Sequence, residues 1–114
     1  FFRPATAEIN IEESRSMLQR LSGLLVTMPD RKFRIEGHTD SLPTDPNGPW
    51  PTNWELSTAR SVNVLKYLTE FGVNEQQFQV SGFADTVPLA NNNTPEGRAY
   101  NRRVDIVILS EGHQ

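Results

Sequence analysis

Between Ser41 and Thr52 the chain carries Pro43, Pro46, Pro49 and Pro51 together with the turn pair Asn47-Gly48. Each proline removes a backbone donor and fixes φ, so no helix or sheet ladder runs through these residues. They form a long, partly stiffened loop, and a connection of that length inside a small domain is more often functional than incidental. The flanking segments must then be separate elements. Before the loop, Lys32 to His38 alternates, with Phe33, Ile35 and Gly37 on one side and Arg34, Glu36 and His38 on the other. That is a strand with one buried face, its polar face expected to meet water. After the loop, Asn53 is expected as a helix N-cap and Glu55 suits the positive first turn. Leu56, Ala59, Val64, Leu65, Leu68 and Phe71 supply the packed stripe, and Gly72 ends the helix.

The same signals divide the rest of the chain. Ile11, Met17, Leu18, Leu21, Leu24, Leu25 and Met28 recur at the three-and-four spacing of a helix face that Pro29 closes. Gln77 to Gly82 reads as a short strand around Phe78 and Val80, and strand, helix, strand in one sheet implies a parallel pair with a right-handed crossover. Thr94-Pro95-Glu96 opens a short helix from Pro95 to about Asn101. Val104 to Leu109 is the last strand; apolar except for Asp105, it is expected near the sheet centre.

With 114 residues, one hydrophobic core and a single domain spanning 1–114 are expected. The 11 basic and 14 acidic side chains leave a formal charge of −3, so there is no overall positive field for nucleic acid. The absence of cysteine excludes disulfides and thiolate metal sites. No segment approaches the roughly 20 apolar residues that cross a bilayer. The abrupt start at Phe1-Phe2 reads as a cut within a longer protein, with an upstream portion missing.

Two short runs carry the chemistry. Gly37-His38-Thr39-Asp40 ends a strand and Asn53-Trp54-Glu55-Leu56-Ser57-Thr58-Ala59-Arg60 opens a helix. An acceptor, Asp40, and a fork donor, Arg60, brought to neighbouring element ends suit a ligand bearing both an ammonium and a carboxylate, as a free amino-acid centre does. A surface salt bridge worth about 0–1 kcal/mol is the competing reading. In the basic cluster before the last strand, Arg98 and Arg103 read as structural and Arg102 as a site candidate. A metal site is disfavoured, because the one other histidine, His113, lies in the tail. No cofactor is implied. Ser41, Ser57 and Ser61 are close by, but none sits in a Gly-x-Ser-x-Gly elbow, which weighs against catalysis. Trp50 and Trp54 flank the loop-to-helix junction, placed to stack on a sugar or apolar surface or to lid the core.

Gly37-His38-Thr39-Asp40, Asn53-x-x-Leu56-Ser57-x-x-Arg60, Gly82-Phe83-Ala84-Asp85 with Pro88, and Asn101-Arg102-Arg103-Val104, in that order, resemble the OmpA-like peptidoglycan-binding domain. The proline-rich loop before Asn53-Trp54-Glu55-Leu56-Ser57, and the opening Phe2-Arg3-Pro4-Ala5-Thr6-Ala7, look like the MotB-type stator subunits of the flagellar motor. The resemblance implies an α/β (α+β) two-layer sandwich, a mixed, mostly parallel sheet with helices on one face in β/α/β/α/β order. It implies a non-catalytic, periplasmic clamp on the peptidoglycan stem peptide, in which Asp40 binds the ammonium of diaminopimelate and Arg60 its carboxylate. Thr39, Asn53, Leu56 and Arg102 match positions lining the same pocket. It further implies a homodimer and a MotA-type channel subunit contacted through an upstream membrane segment. An OmpA- or Pal-like outer-membrane tether and, further off, a wall hydrolase using His38 and Asp40 are the alternatives.

Overall fold

The computed structural model describes residues 2–109; the side chain of Ile11, residue 1 and residues 110–114, with His113, lie outside the described set. The elements are α1 (Ile11–Leu25), β1 (Lys32–Gly37), α2 (Asn53–Glu70), a 3₁₀ turn (Glu75–Gln77), β2 (Phe78–Gly82), α3 (Pro95–Asn101) and β3 (Val104–Leu109). β1 is central, pairing parallel with β2 and antiparallel with β3. From β1 onward the order is β/α/β/α/β, with α1 added ahead of it.

The apolar β3 is therefore an edge strand rather than the central one. Its alternation was masked because Val107 and Leu109, on the face shared with Arg34 and Lys32, are apolar too. Val104, Ile106 and Ile108 pair with Gly37, Ile35 and Phe33 on the core face, and Ile108 stays exposed at the margin. The centre goes to β1, whose Phe33 and Ile35 are wholly buried against Leu18, Leu25, Val64 and Leu68 of the two long helices. On α1 the buried positions are Ser14, Leu18, Ser22 and Leu25, while Met17 and Leu24 are exposed, so the apolar stripe is wider than the buried one.

Two local details differ from expectation. The α2 cap is Thr52, not Asn53: the Thr52 hydroxyl accepts from the Trp54 amide and Glu55 returns to the Thr52 amide, completing a Thr-x-x-Glu capping box. The outer face of β1 is not open to water either. Arg34 and Glu36 are half-buried and His38, just past the strand, is 2% exposed.

Gly37 explains how α2 approaches the sheet. A Cβ there would stand 1.9 Å from the Ser57 carbonyl oxygen, so only glycine lets the helix backbone come this close. Helix and strand ends are thereby pressed together, placing residues 38–40 against the first two turns of α2.

Candidate functional site

The chain leaving β1 is gripped by backbone bonds before it reaches Asp40. The Phe83 amide donates to the Gly37 carbonyl at 2.9 Å, the His38 amide to Arg103 at 2.9 Å and the Thr39 amide to Ala84 at 2.8 Å. Ala84 takes a left-handed φ of 54° and its amide donates to the buried Ser57 hydroxyl. These contacts fix the strand end from three elements.

Asp40, 5% exposed, follows immediately. Its Oδ1 accepts from the Leu42 amide at 3.0 Å, and its Oδ2 accepts from Arg102 Nη1 at 3.0 Å. A carboxylate offers about four acceptor positions, so capacity remains for a ligand donor. Arg102 also donates through Nε to the Phe2 carbonyl. It is held at the end of α3 by Asn101, fully buried, whose side chain accepts from the Leu89 and Ala90 amides and donates to the Ala90 carbonyl and Asn92. Asn101 stands in the Asn101-Arg102-Arg103-Val104 motif, and this bracing of the turn-rich 89–92 stretch is the structural role the motif did not disclose.

Arg60 is 1% exposed, and every donating nitrogen meets a carbonyl: Nε to Thr6 at 2.9 Å, Nη1 to His38 at 2.9 Å and Nη2 to Arg3 at 3.2 Å. Its guanidinium also lies 4.9 Å from the Phe2 ring centroid. Burial, only partly offset by the Asp40 charge and aggravated by Arg102, pushes its pKa down to about 10, so it stays cationic at neutral pH. Each terminal nitrogen keeps one further N–H beyond these bonds. The N-terminal segment makes this cradle by turning at Ala5, whose φ of 57° is costly for a residue other than glycine, about 1–3 kcal/mol.

Asp40 and Arg60 therefore do share a cleft, of about 100 Å³, lined also by Thr39, Asn53, Leu56 and the loop residues Leu42, Pro43 and Thr44. The direct ion partner of Asp40, however, is Arg102 rather than Arg60. Asn53 closes one corner by donating to the Leu42 carbonyl, and the loop is braced by Thr44 donating to the Pro51 carbonyl. Arg102, expected to line the same pocket, is not among the lining residues and reaches the cleft only through its bond to Asp40. One cation and one anion on the wall of a small cleft at a helix N-terminus favour a zwitterionic end group. Arg98 and Arg103 lie apart from it: Arg98 donates to the Asn92 carbonyl, and Arg103 pairs with Asp105 and donates to Val87.

On the opposite sheet face, Glu36, His38 and Asp105 present ligand atoms within 4.8 Å of one another. Arg34 pairs with Glu36 and Arg103 with Asp105, so both carboxylates already face a cation. Burial and the Arg103 charge hold the His38 pKa below its ordinary value despite Asp105.

The fold is a two-layer α/β domain that brings opposed charges to one small cleft at its strand and helix ends. The chain belongs to the OmpA family, whose sequence profile matches residues 1–102. It is 38% identical over 113 residues to motility protein B of Bacillus subtilis, covering 98% of this chain and 42% of that protein. It is 38% identical over 92 residues to the peptidoglycan-binding protein ArfA of Mycobacterium tuberculosis, covering 81% of this chain and 27% of that protein. Among solved structures, the C-terminal domain of Helicobacter pylori MotB superposes with a TM-score of 0.90 at 26% identity, covering 98% of this chain and 84% of that one. The chain thus spans less than half the length of these curated relatives. No described helix is long and apolar enough to cross a membrane.

Proposed function

We propose that this domain binds peptidoglycan without chemistry of its own, seating the free amino-acid centre of diaminopimelate in the Asp40–Arg60 cleft and so anchoring a stator-type assembly to the cell wall. The observation that carries the reading is the cleft itself: a buried carboxylate and a buried guanidinium, each with unused hydrogen-bonding capacity, face one space of about 100 Å³. That space suits a terminal group rather than a saccharide. Asp40 receives the ammonium; the remaining Arg60 N–H groups receive the carboxylate; Thr39 and Asn53 supply polar edges and Leu56 an apolar floor. The names of the B. subtilis and M. tuberculosis relatives support motility and peptidoglycan binding respectively, and the MotB likeness supports a periplasmic setting.

Charge-assisted hydrogen bonds contribute about 1.5–3 kcal/mol each, and a few of them must offset several kcal/mol of association cost. A single site is accordingly weak, and repeated stem peptides with paired domains raise the effective concentration. In this reading an upstream membrane segment and a MotA-type subunit complete the motor unit, and a homodimer presents two clefts.

Co-sedimentation with purified sacculi tests the assignment. Asp40→Asn keeps the shape and the Leu42 contact, and is expected to reduce the pelleted fraction at least tenfold while the fold persists by circular dichroism; free diaminopimelate is expected to compete with the parent. A folded Asp40→Asn variant that pellets like the parent refutes the clamp. Release of soluble peptide or glycan fragments from the wall would instead mark a hydrolase.

A further inference from the structure

A second surface adjoins the cleft across the first turn of α2. Trp50, half-buried, and Trp54, 53% exposed, line an open groove of about 510 Å³ with Ala59, Val62 and Lys66. Trp54, Thr58, Val62 and Lys66 follow at four-residue intervals and form one strip along α2, on the side away from buried Leu56, Arg60 and Val64. A large, exposed indole on a helix already anchored by its opposite face adds nothing to the core. Lys66 is exposed and makes no ion pair among the described residues, whereas Glu55 at the rim is tied to Thr52.

We propose that this groove is a carbohydrate platform that receives the glycan of the same polymer whose stem peptide enters the cleft; the inference rests on the function proposed above. Three observations favour sugar over other occupants. The cleft is too small for a saccharide, so the glycan attached to a bound stem must lie outside it. The groove and the cleft are built from the same two pieces of chain: the proline loop supplies Leu42, Pro43 and Thr44 to the cleft and Trp50 to the groove, and the first turn of α2 supplies Asn53 to one and Trp54 to the other. Two stem residues separate diaminopimelate from the sugar, and an extended chain spans roughly 7 Å over two residues, so a glycan attached to a seated stem stays close to the cleft mouth. The chemistry also fits: an indole is a flat apolar plate with an N–H at its edge, suited to the C–H face and hydroxyls of a pyranose. Lys66 is placed for a carboxylate on the intervening stem residue.

Trp50 and Trp54 are the two tryptophans of the chain, so indole emission reports on this groove alone. The experiment compares two purified ligands that share the same diaminopimelate tripeptide, one free and one carrying its disaccharide, by calorimetry and tryptophan fluorescence. The disaccharide peptide is expected to bind about tenfold more tightly and to shift the emission, while the free tripeptide binds with little change. Trp54→Ala, an exposed helix position, is expected to remove that tenfold advantage and leave tripeptide affinity unchanged; Trp54→Phe restores part of it. Equal parent affinities for the two ligands, or a Trp54→Ala loss shared by both, overturn the platform and leave the cleft standing. Failure of the parent to bind either ligand overturns the cleft and the platform together.

Discussion

Replacing Arg60 with alanine is expected to destabilise the domain by about 3–5 kcal/mol, an effect on folding that precedes any effect on binding. The guanidinium is 1% exposed and ties three stretches of chain to α2 through the carbonyls of Arg3, Thr6 and His38. Charge-assisted bonds contribute about 1.5–3 kcal/mol each, but the freed carbonyls regain some hydration as the N-terminal segment loosens, so the net cost falls below the gross value. Removing one side of a buried charged network costs about 3–5 kcal/mol, and Asp40 and Arg102 would remain as an ion pair. Lost packing against Phe2 adds to this. Urea unfolding gives the free energy, and amide hydrogen exchange is expected to show lost protection near the Phe2–Ile9 bridge while β1 stays protected. Arg60→Lys keeps the charge and reaches fewer carbonyls, so about half the loss is expected. If Arg60→Ala costs under about 1 kcal/mol with the N-terminal segment still protected, the cradle is not a structural tie, and the arginine is free to serve the ligand alone.

Gly37→Ala places a methyl 1.9 Å from the Ser57 carbonyl oxygen, and with backbone on both sides it is expected to cost about 3 kcal/mol, read as a lower urea midpoint; a loss of under about 0.5 kcal/mol, the size of a surface change, would refute the close approach. His38 titrates below its ordinary pKa because burial favours the neutral ring. The unfolded chain then binds the extra proton first, so this contribution is full above about pH 6.5 and is lost as pH falls through that value towards the lowered folded one, at most about 1.4 kcal/mol per pH unit. His38→Phe is expected to flatten the rise in unfolding free energy between about pH 5 and 7, and an unchanged slope would count against it.

The elements were legible because their signals are local. Gly72 follows the end of α2, Thr94-Pro95 opens α3, and α3 and β3 fall on the expected ranges, whereas α1 stops at Leu25, short of Met28 and Pro29, because the chain already turns at Val26 and Thr27. The order of strands was not legible, since an apolar run reads alike whether both faces are buried or one is an edge with apolar residues on its second face. The cap moved by one residue although the Thr-x-x-Glu box stood in the sequence, because Asn53 is an equally good cap type by itself.

The site shows the same division. Asp40 and Arg60 converge on a cleft as their motifs imply, yet the partners of Arg60 are backbone carbonyls, which carry no side-chain signature and can belong to any residue. Under the proposed function, that hidden role alters what Arg60 would contribute to recognition. A guanidinium already fixed by three carbonyls loses little rotamer freedom when a ligand carboxylate arrives, whereas a free arginine would surrender about 2 kcal/mol of it. The N-terminal segment, strained at Ala5, lines the cleft with Pro4 and Ala5 and holds the fork at the cleft wall through the carbonyls of Arg3 and Thr6. Asp40 is prepared in the same way by Leu42 and Arg102. The cleft is preorganised from both sides, so for the ligand proposed above the energy of a few charged contacts would not be consumed in assembling the site.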